Sequence, residues 1–250
     1  MGISDVELFS LSPIPMPTGT FTNAWITESA KILFRGGTPP NANKFRLCLA
    51  NTATLSRASS LADFIANELL PTNGYTRASA NFGSDGSYDS TDQRHELPTI
   101  NASFSASGGS LQFQTAFLIA DSSAVASKSF TNSNVNASTD RITITSHGFV
   151  NGDKLVFTAD ALATLPSGIT ASTIYQVASV TTNDFQLQPN GGGSTIDITD
   201  TGSGTFRARS ANGIVVAYAT ESNPITVSSG QSYSYQIPLV VLNAGYVNGV

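Results

Sequence analysis

Side chains able to do chemistry are few in this chain, and they are scattered. There is one cysteine, Cys48, and there are two histidines, His95 and His147, 52 positions apart with no cysteine near either. An intrachain disulfide is impossible, and a zinc site built from the usual cysteine and histidine spacings is not expected. Asp85, Asp89 and Asp92 lie close together in a polar stretch, and calcium takes carboxylate oxygens. Their spacing does not match an EF-hand, so the 85–92 loop reads as a turn-rich surface loop, with calcium binding as the open alternative. Asp197 and Asp200 suggest the paired carboxylates of a glycosidase. Clefts of that kind stack sugars on tryptophan, and the chain has one, Trp25. His147 stands in Thr-Ser-His-Gly-Phe-Val-Asn-Gly-Asp, where a general base and a turn histidine packed on a core are the two readings. No nucleophile or orienting acid stands at a recognisable spacing, which favours packing. Gly191-Gly192-Gly193 lacks the Lys and Ser/Thr of a phosphate loop and the helix after it. The expectation is a protein without catalytic, cofactor-binding or metal-ligating residues.

The elements available to position such groups follow from composition. Charged residues are 12% of the 250, against about 25% in an average soluble protein. Ser, Thr and Asn make up nearly a third, so the surface is largely neutral and polar. A net charge of −5 argues against nucleic-acid partners, which require clustered Lys and Arg. No apolar run approaches the roughly 18 residues of a membrane span. The start, Met1 to Asp5, has neither the basic residues nor the apolar run of a signal peptide.

Residues 1–24 read as an extended arm. Pro13, Pro15 and Pro17 each lack a backbone donor and fix φ, while Leu8, Phe9, Leu11, Ile14 and Met16 require burial. The arm packs either on its own domain or across a neighbouring subunit. Trp25 to Arg35 has β-type composition. In Lys44 to Asn51, Phe45, Leu47 and Leu49 alternate with Arg46, Cys48 and Ala50, a strand in which Cys48 is a packing residue. One helix is expected, Ser60 to Leu70: Ser60 caps, Asp63 completes a capping box, and Leu61, Phe64, Ile65 and Leu69 share a face. Thr99–Ser107 and Ser110–Ala120 read as a hairpin turning at Gly108-Gly109. Gly213–Thr220 and Gln231–Asn243 are strands, the second with Pro238 at an edge or bulge.

Residues 138–205 differ in character. They contain five short β-like runs, Arg141–Thr145, Lys154–Thr158, Thr173–Val180, Asp184–Gln188 and Thr195–Thr199, and the whole stretch carries six acids and two bases. Polar stretches 127–136 and 203–210 read as linkers around them. The expected organisation is an arm (1–24), a discontinuous β-sandwich (25–137 and 206–250) and an inserted β module (138–205), insertion at a loop tip being the least disruptive place.

The module's ordered motifs run from Asp140 to Asp153, then Leu165-Pro166-Ser167-Gly168-Ile169, Ile174-Tyr175-Gln176-Val177, Asp184-Phe185-Gln186-Leu187 and Gly202-Ser203-Gly204-Thr205. This order resembles a small β module of tailed-bacteriophage virion proteins, whose fold is tied to the first catalytic-cysteine half-domain of ubiquitin-activating enzymes. The resemblance implies a β-barrel-like fold and no ubiquitin chemistry, and the module contains no cysteine. Phe45 to Ala50, Asn67-Glu68-Leu69, Asn73-Gly74-Tyr75-Thr76-Arg77, Asn212 to Ala217 and Ser229-Gly230-Gln231 resemble a family of small phage structural proteins.

The resemblances imply a non-enzymatic virion structural protein: an all-β chain with a jelly-roll-like β-sandwich, one short helix and an inserted barrel-like module. The expected role is capsid decoration, as a cement protein on the head lattice with the module outward. A tail fibre or baseplate component is the alternative, and a carbohydrate-active enzyme a distant third. Implied partners are the major capsid protein or other virion proteins and the chain itself, as dimer or trimer, with no nucleic acid and no membrane. The implied location is the virion, assembled in the host bacterial cytoplasm.

Overall fold

A computed structural model of the protein describes residues 19–40, 42–80, 87–90, 94–96, 100–120, 127–237 and 240–242. Residues 1–18 of the expected arm, Asp85, Asp92 and Pro238 lie outside them. The chain folds as an all-β sandwich carrying two helices and a second, closed sheet.

In chain order, β1 (Thr20–Phe21) leads into α1 (Asn23–Arg35), followed by β2 (Arg46–Ala50), α2 (Leu61–Asn67), β3 (Ala78–Ser79), β4 (Ser87–Asp89), β5 (Arg94–Glu96), β6 (Ile100–Ser105) and β7 (Leu111–Ala120). The second sheet comprises β8 (Ser127–Thr131), β9 (Val135–Asn136), β10 (Arg141–Thr143), β11 (Lys154–Ala159), β12 (Ile174–Ala178), β13 (Asp184–Pro189) and β14 (Thr205–Ser210). The chain then returns through β15 (Ile214–Val227), β16 (Ser232–Ile237) and β17 (Val240–Leu242).

The sandwich sets a five-stranded sheet, β1-β15-β7-β2-β3, against the β16-β6 pair; β17-β5-β4 forms a further small sheet. Its core holds Leu47, Leu49, Tyr75, Phe104, Phe113, Leu118 and Tyr235, with Phe113 edge-on to Tyr233 and Tyr235. The expected hairpin at Gly108-Gly109 is not one. β6 pairs with β16, and β7 pairs with β15 and β2, so the two glycines turn the chain from one sheet into the other. The Asn73-Gly74 turn holds that corner: the Ser107 amide donates to the Asn73 carbonyl (2.9 Å), and Asn73 Nδ2 donates to the Ser110 carbonyl (2.9 Å). Gly74 has φ 82°, and a Cβ there would lie 2.7 Å from the Ser105 carbonyl oxygen.

Residues 25–35, read as β-type, are the helix α1. Thr22 caps it by accepting from the Trp25 amide (3.1 Å), and Gly36 ends it in the left-handed region at φ 69°. Those caps outweigh the weak propensity of its β-branched and aromatic residues. α2 has the expected capping box between Ser60 and Asp63, with Phe64 and Ile65 fully buried. It stops at Asn67, earlier than expected, because Glu68 turns extended and bridges to Ala50.

The seven-stranded sheet runs β8-β14-β11-β12-β13-β10-β9. Its two outermost strands are consecutive in the chain, joined only by the 3-10 turn Asn132–Asn134. The segment 127–136 therefore pairs with β14 through its first half and with β10 through its second, closing the sheet into a small barrel. Phe130, Val135, Leu155, Phe157, Val177, Phe185, Leu187 and Phe206 fill the interior. Thus 127–136 and 205–210, read as linker, are paired strands. Their outward Ser, Thr and Arg residues hide the alternation. Thr195–Thr199, read as a strand, is not one; the buried Ile198 is held there by its amide donating to Asp140 Oδ1 (2.8 Å). The chain leaves the five-stranded sheet after Ala120 and re-enters it at Ile214, which pairs directly with Ala120.

Candidate functional site

Of the residues singled out for chemistry, Cys48, His147 and Asp200 hold structural positions, although His147 Nε2 is buried without a hydrogen-bond partner. Cys48 is fully buried, and that burial, with Glu68 nearby, pushes its thiol well above the usual range. His147 is 2% exposed; its ring lies between Phe149 and Phe185, and its Nδ1 accepts from the Phe149 amide at 2.9 Å. His147 lines a shallow cleft of about 280 Å³ together with Ser146, Gly148, Phe149, Thr181 and Thr182, and none of these five is an acid or a base. Asp200 accepts from the amides of Ser167 (3.0 Å) and Gly202 (2.8 Å) and ties two loops together. The hydrogen bonds from Ser167 and Gly202 hold its carboxyl below the usual range. Asp197 is exposed and makes no pair with it. His95 lies in β5, opposite Tyr88 and Val241. Gly191, Gly192 and Gly193 all have positive φ in a turn after β13. Among the described residues no group of three His, Cys, Asp or Glu side chains converges to hold a metal.

A dense polar cluster among the described residues joins side chains that lie far apart in sequence, so no local pattern announces it. Glu68, directly after α2, receives Arg77 through Nε (2.8 Å) and Nη2 (2.6 Å), and Tyr75 through its hydroxyl (2.9 Å). The Tyr75 hydroxyl in turn accepts from the Leu49 amide at 3.1 Å. Arg209, from β14, donates to the carbonyls of Ile65 (3.2 Å) and Glu68 (2.6 Å) at the end of α2, where a cation is favoured. Arg77 reaches across to the Ser210 carbonyl (2.9 Å). Burial opposes the charge on Arg77, yet Glu68 beside it raises its pKa. Around this cluster Phe64, Ile65, Phe117, Val156 and Ala211 form an apolar layer. Barrel and sandwich are thus joined by a sealed contact with α2 at its centre.

The outer face of the molecule offers a different feature at α1. None of its thirteen residues is buried. Trp25 packs against the sandwich core, and Glu28, Ser29 and Ile32 follow on that side, half-buried. Ile26, Ala30, Leu33 and Phe34 form the opposite stripe at i, i+4, i+7 and i+8. Leu33 is 74% and Phe34 83% exposed, and three of the six exposed large apolar side chains among the described residues lie on this helix. An exposed apolar stripe of this kind is unusual on a surface helix, whose outward face is ordinarily polar. Each such side chain left in water forgoes about 1.5–3 kcal/mol of burial. The start of α1 is fixed, because the Thr22 hydroxyl donates to the Val215 carbonyl and the Thr22 amide donates to Val216 (3.0 Å). Five residues, Thr18 to Thr22, separate the helix from the apolar, proline-spaced residues 8–17.

The chain matches no protein-family model, no curated protein and no solved structure.

Proposed function

We propose that the protein is a non-enzymatic structural component of a bacteriophage particle, most specifically a capsid decoration protein that stabilises the head lattice. Its partners are then the major capsid protein, or other particle proteins, and further copies of itself. The observation that supports an assembly role is the outward, exposed apolar stripe of α1, a helix whose start is pinned to the sheet edge. The ordered motifs of residues 140–205 and 45–77 support the phage setting through their resemblance to virion modules. The sealed joint at α2 suits a barrel carried at a fixed angle. A neutral Ser/Thr/Asn surface suits a protein that stays dispersed without relying on charge.

Adding the purified protein to heads assembled without it tests this reading. Saturable binding of many copies, with raised resistance of the heads to heat, is the expected result. Absence of binding to intact heads would reject the capsid role, and binding confined to tails would move the protein to the fibre or baseplate.

A further inference from the structure

We propose that the outward stripe of α1 is the receptor for the N-terminal segment, residues 5–17, of a second copy of this chain, so that copies hold one another by exchanged arms. The inference rests on the assembly reading above and names the contact through which copies associate.

The stripe from Ile26 to Phe34 is about 12 Å long at 1.5 Å per residue. Two such stripes facing each other make too small an interface. Three large side chains per copy supply roughly 300 Å², about 600 Å² in all, against about 1,200 Å² for a stable contact. The occupant must therefore bring more apolar surface than another α1. Residues 5–17 carry Val6, Leu8, Phe9, Leu11, Ile14 and Met16. An extended proline-spaced run advances about 3.1 Å per residue, so four or five residues span the stripe and the rest add area beyond it. Charge agrees as well: the segment's ionisable side chains are Asp5 and Glu7, while the last turn of α1 carries Arg35; Lys31 before it is paired with Glu28 at 2.9 Å.

The choice of a second copy over the same chain follows from the backbone. Each proline disfavours the helical region at the residue before it, so the sequence from Ser12 to Pro17 favours an extended chain. From Thr20 the chain is already in the β1 ladder with β15. Only Thr18 and Gly19 stand between the last proline and β1 to reverse the chain onto its own helix, and docking on a second copy requires no such reversal. Stiffening by proline also lowers the entropy lost on docking.

Single-cysteine variants decide the matter, since the native Cys48 is buried and protected. Leu11→Cys and Phe34→Cys chains are co-expressed and oxidised. A covalent pair at twice the 26.0 kDa chain mass, containing one of each variant, is the expected product. A link formed only within a Leu11→Cys/Phe34→Cys double variant, or no link in either format, would overturn the exchange. Light scattering on the unmodified chain provides an independent reading. The full chain should have the mass of at least two copies, and Leu33→Asp and deletion of residues 2–17 should each reduce it to one. Because Leu33 is 74% exposed, the folded copy should keep its melting temperature. A full chain that stays single at high concentration, or a Leu33→Asp chain that stays associated, would contradict the proposal. These measurements use no phage particle, so a failure to bind heads would reject the capsid role without touching them.

Discussion

Arg77 closes on Glu68 with Nη2 and Oε2 2.6 Å apart, and both side chains are almost wholly sealed from solvent, at 0% and 1% exposure. The cluster also holds a second buried cation, Arg209, which donates to the Glu68 carbonyl. Removing one partner of such a pair leaves an uncompensated charge in the interior, at a cost of about 3–5 kcal/mol. Glu68→Gln keeps the shape and removes the charge. Denaturant unfolding should show a loss of that size, and a change below about 1 kcal/mol would mean that the pair contributes little to the joint.

Phe64 is the apolar counterpart at the same joint. It is fully buried and meets Phe117 and Tyr218 at ring distances of 5.1 and 5.7 Å. Truncation to alanine should cost about 3–5 kcal/mol. Thermal unfolding of Phe64→Ala checks it; a shift no larger than that of an unremarkable surface substitution would place the helix outside the core.

The barrel's closure makes a prediction about fragments. A piece comprising residues 138–205 lacks β8 and β9 and nearly all of β14, and with them Phe130, Val135, Phe206 and Ala208 of the barrel core. It should show no cooperative melt, whereas residues 127–211 should. Equal behaviour of the two fragments in calorimetry would show that the closing strands add nothing.

Acid should weaken the barrel. Arg207 hydrogen-bonds Asp160 and Arg141 hydrogen-bonds Asp184, holding both carboxyls below the usual range. A carboxyl lowered in the fold stabilises it fully above its unfolded value, near 4, and the gain disappears as pH falls through the lower folded value. Both pairs are partly exposed, so each is worth about 0.2–1 kcal/mol. The melting temperature should hold between about pH 5 and 8 and drop toward pH 3. Asp160→Asn with Asp184→Asn should melt lower at neutral pH and lose part of that acid dependence, the share of Asp200 remaining.

What was legible in the sequence was local. The Ser60–Asp63 box, the alternation of Phe45, Leu47 and Leu49, and the Tyr175-Val177 and Phe185-Leu187 patterns each state their own structure within a few residues. Helix α1 was legible in its caps, Thr22 and Gly36, but its apolar residues on both faces mimic a buried strand. That ambiguity has the same origin as the exposed stripe. The closing strands stayed hidden because five-residue β8 turns a single bulky apolar residue, Phe130, inward. The turn at Gly108-Gly109 has a hairpin's sequence, and only β15 and β16, more than a hundred residues later, decide that its two arms enter different sheets. The Glu68–Arg77–Arg209 cluster depends on a contact 141 positions apart in sequence, which no local pattern encodes.

Counting copies of this chain in purified particles, by quantitative mass spectrometry against a major capsid protein standard, tests the structural-component account most directly. A capsid decoration protein should be present in hundreds of copies per particle, removed together with the heads on fractionation. A few copies would point to baseplate or fibre, and absence from purified particles would contradict the account.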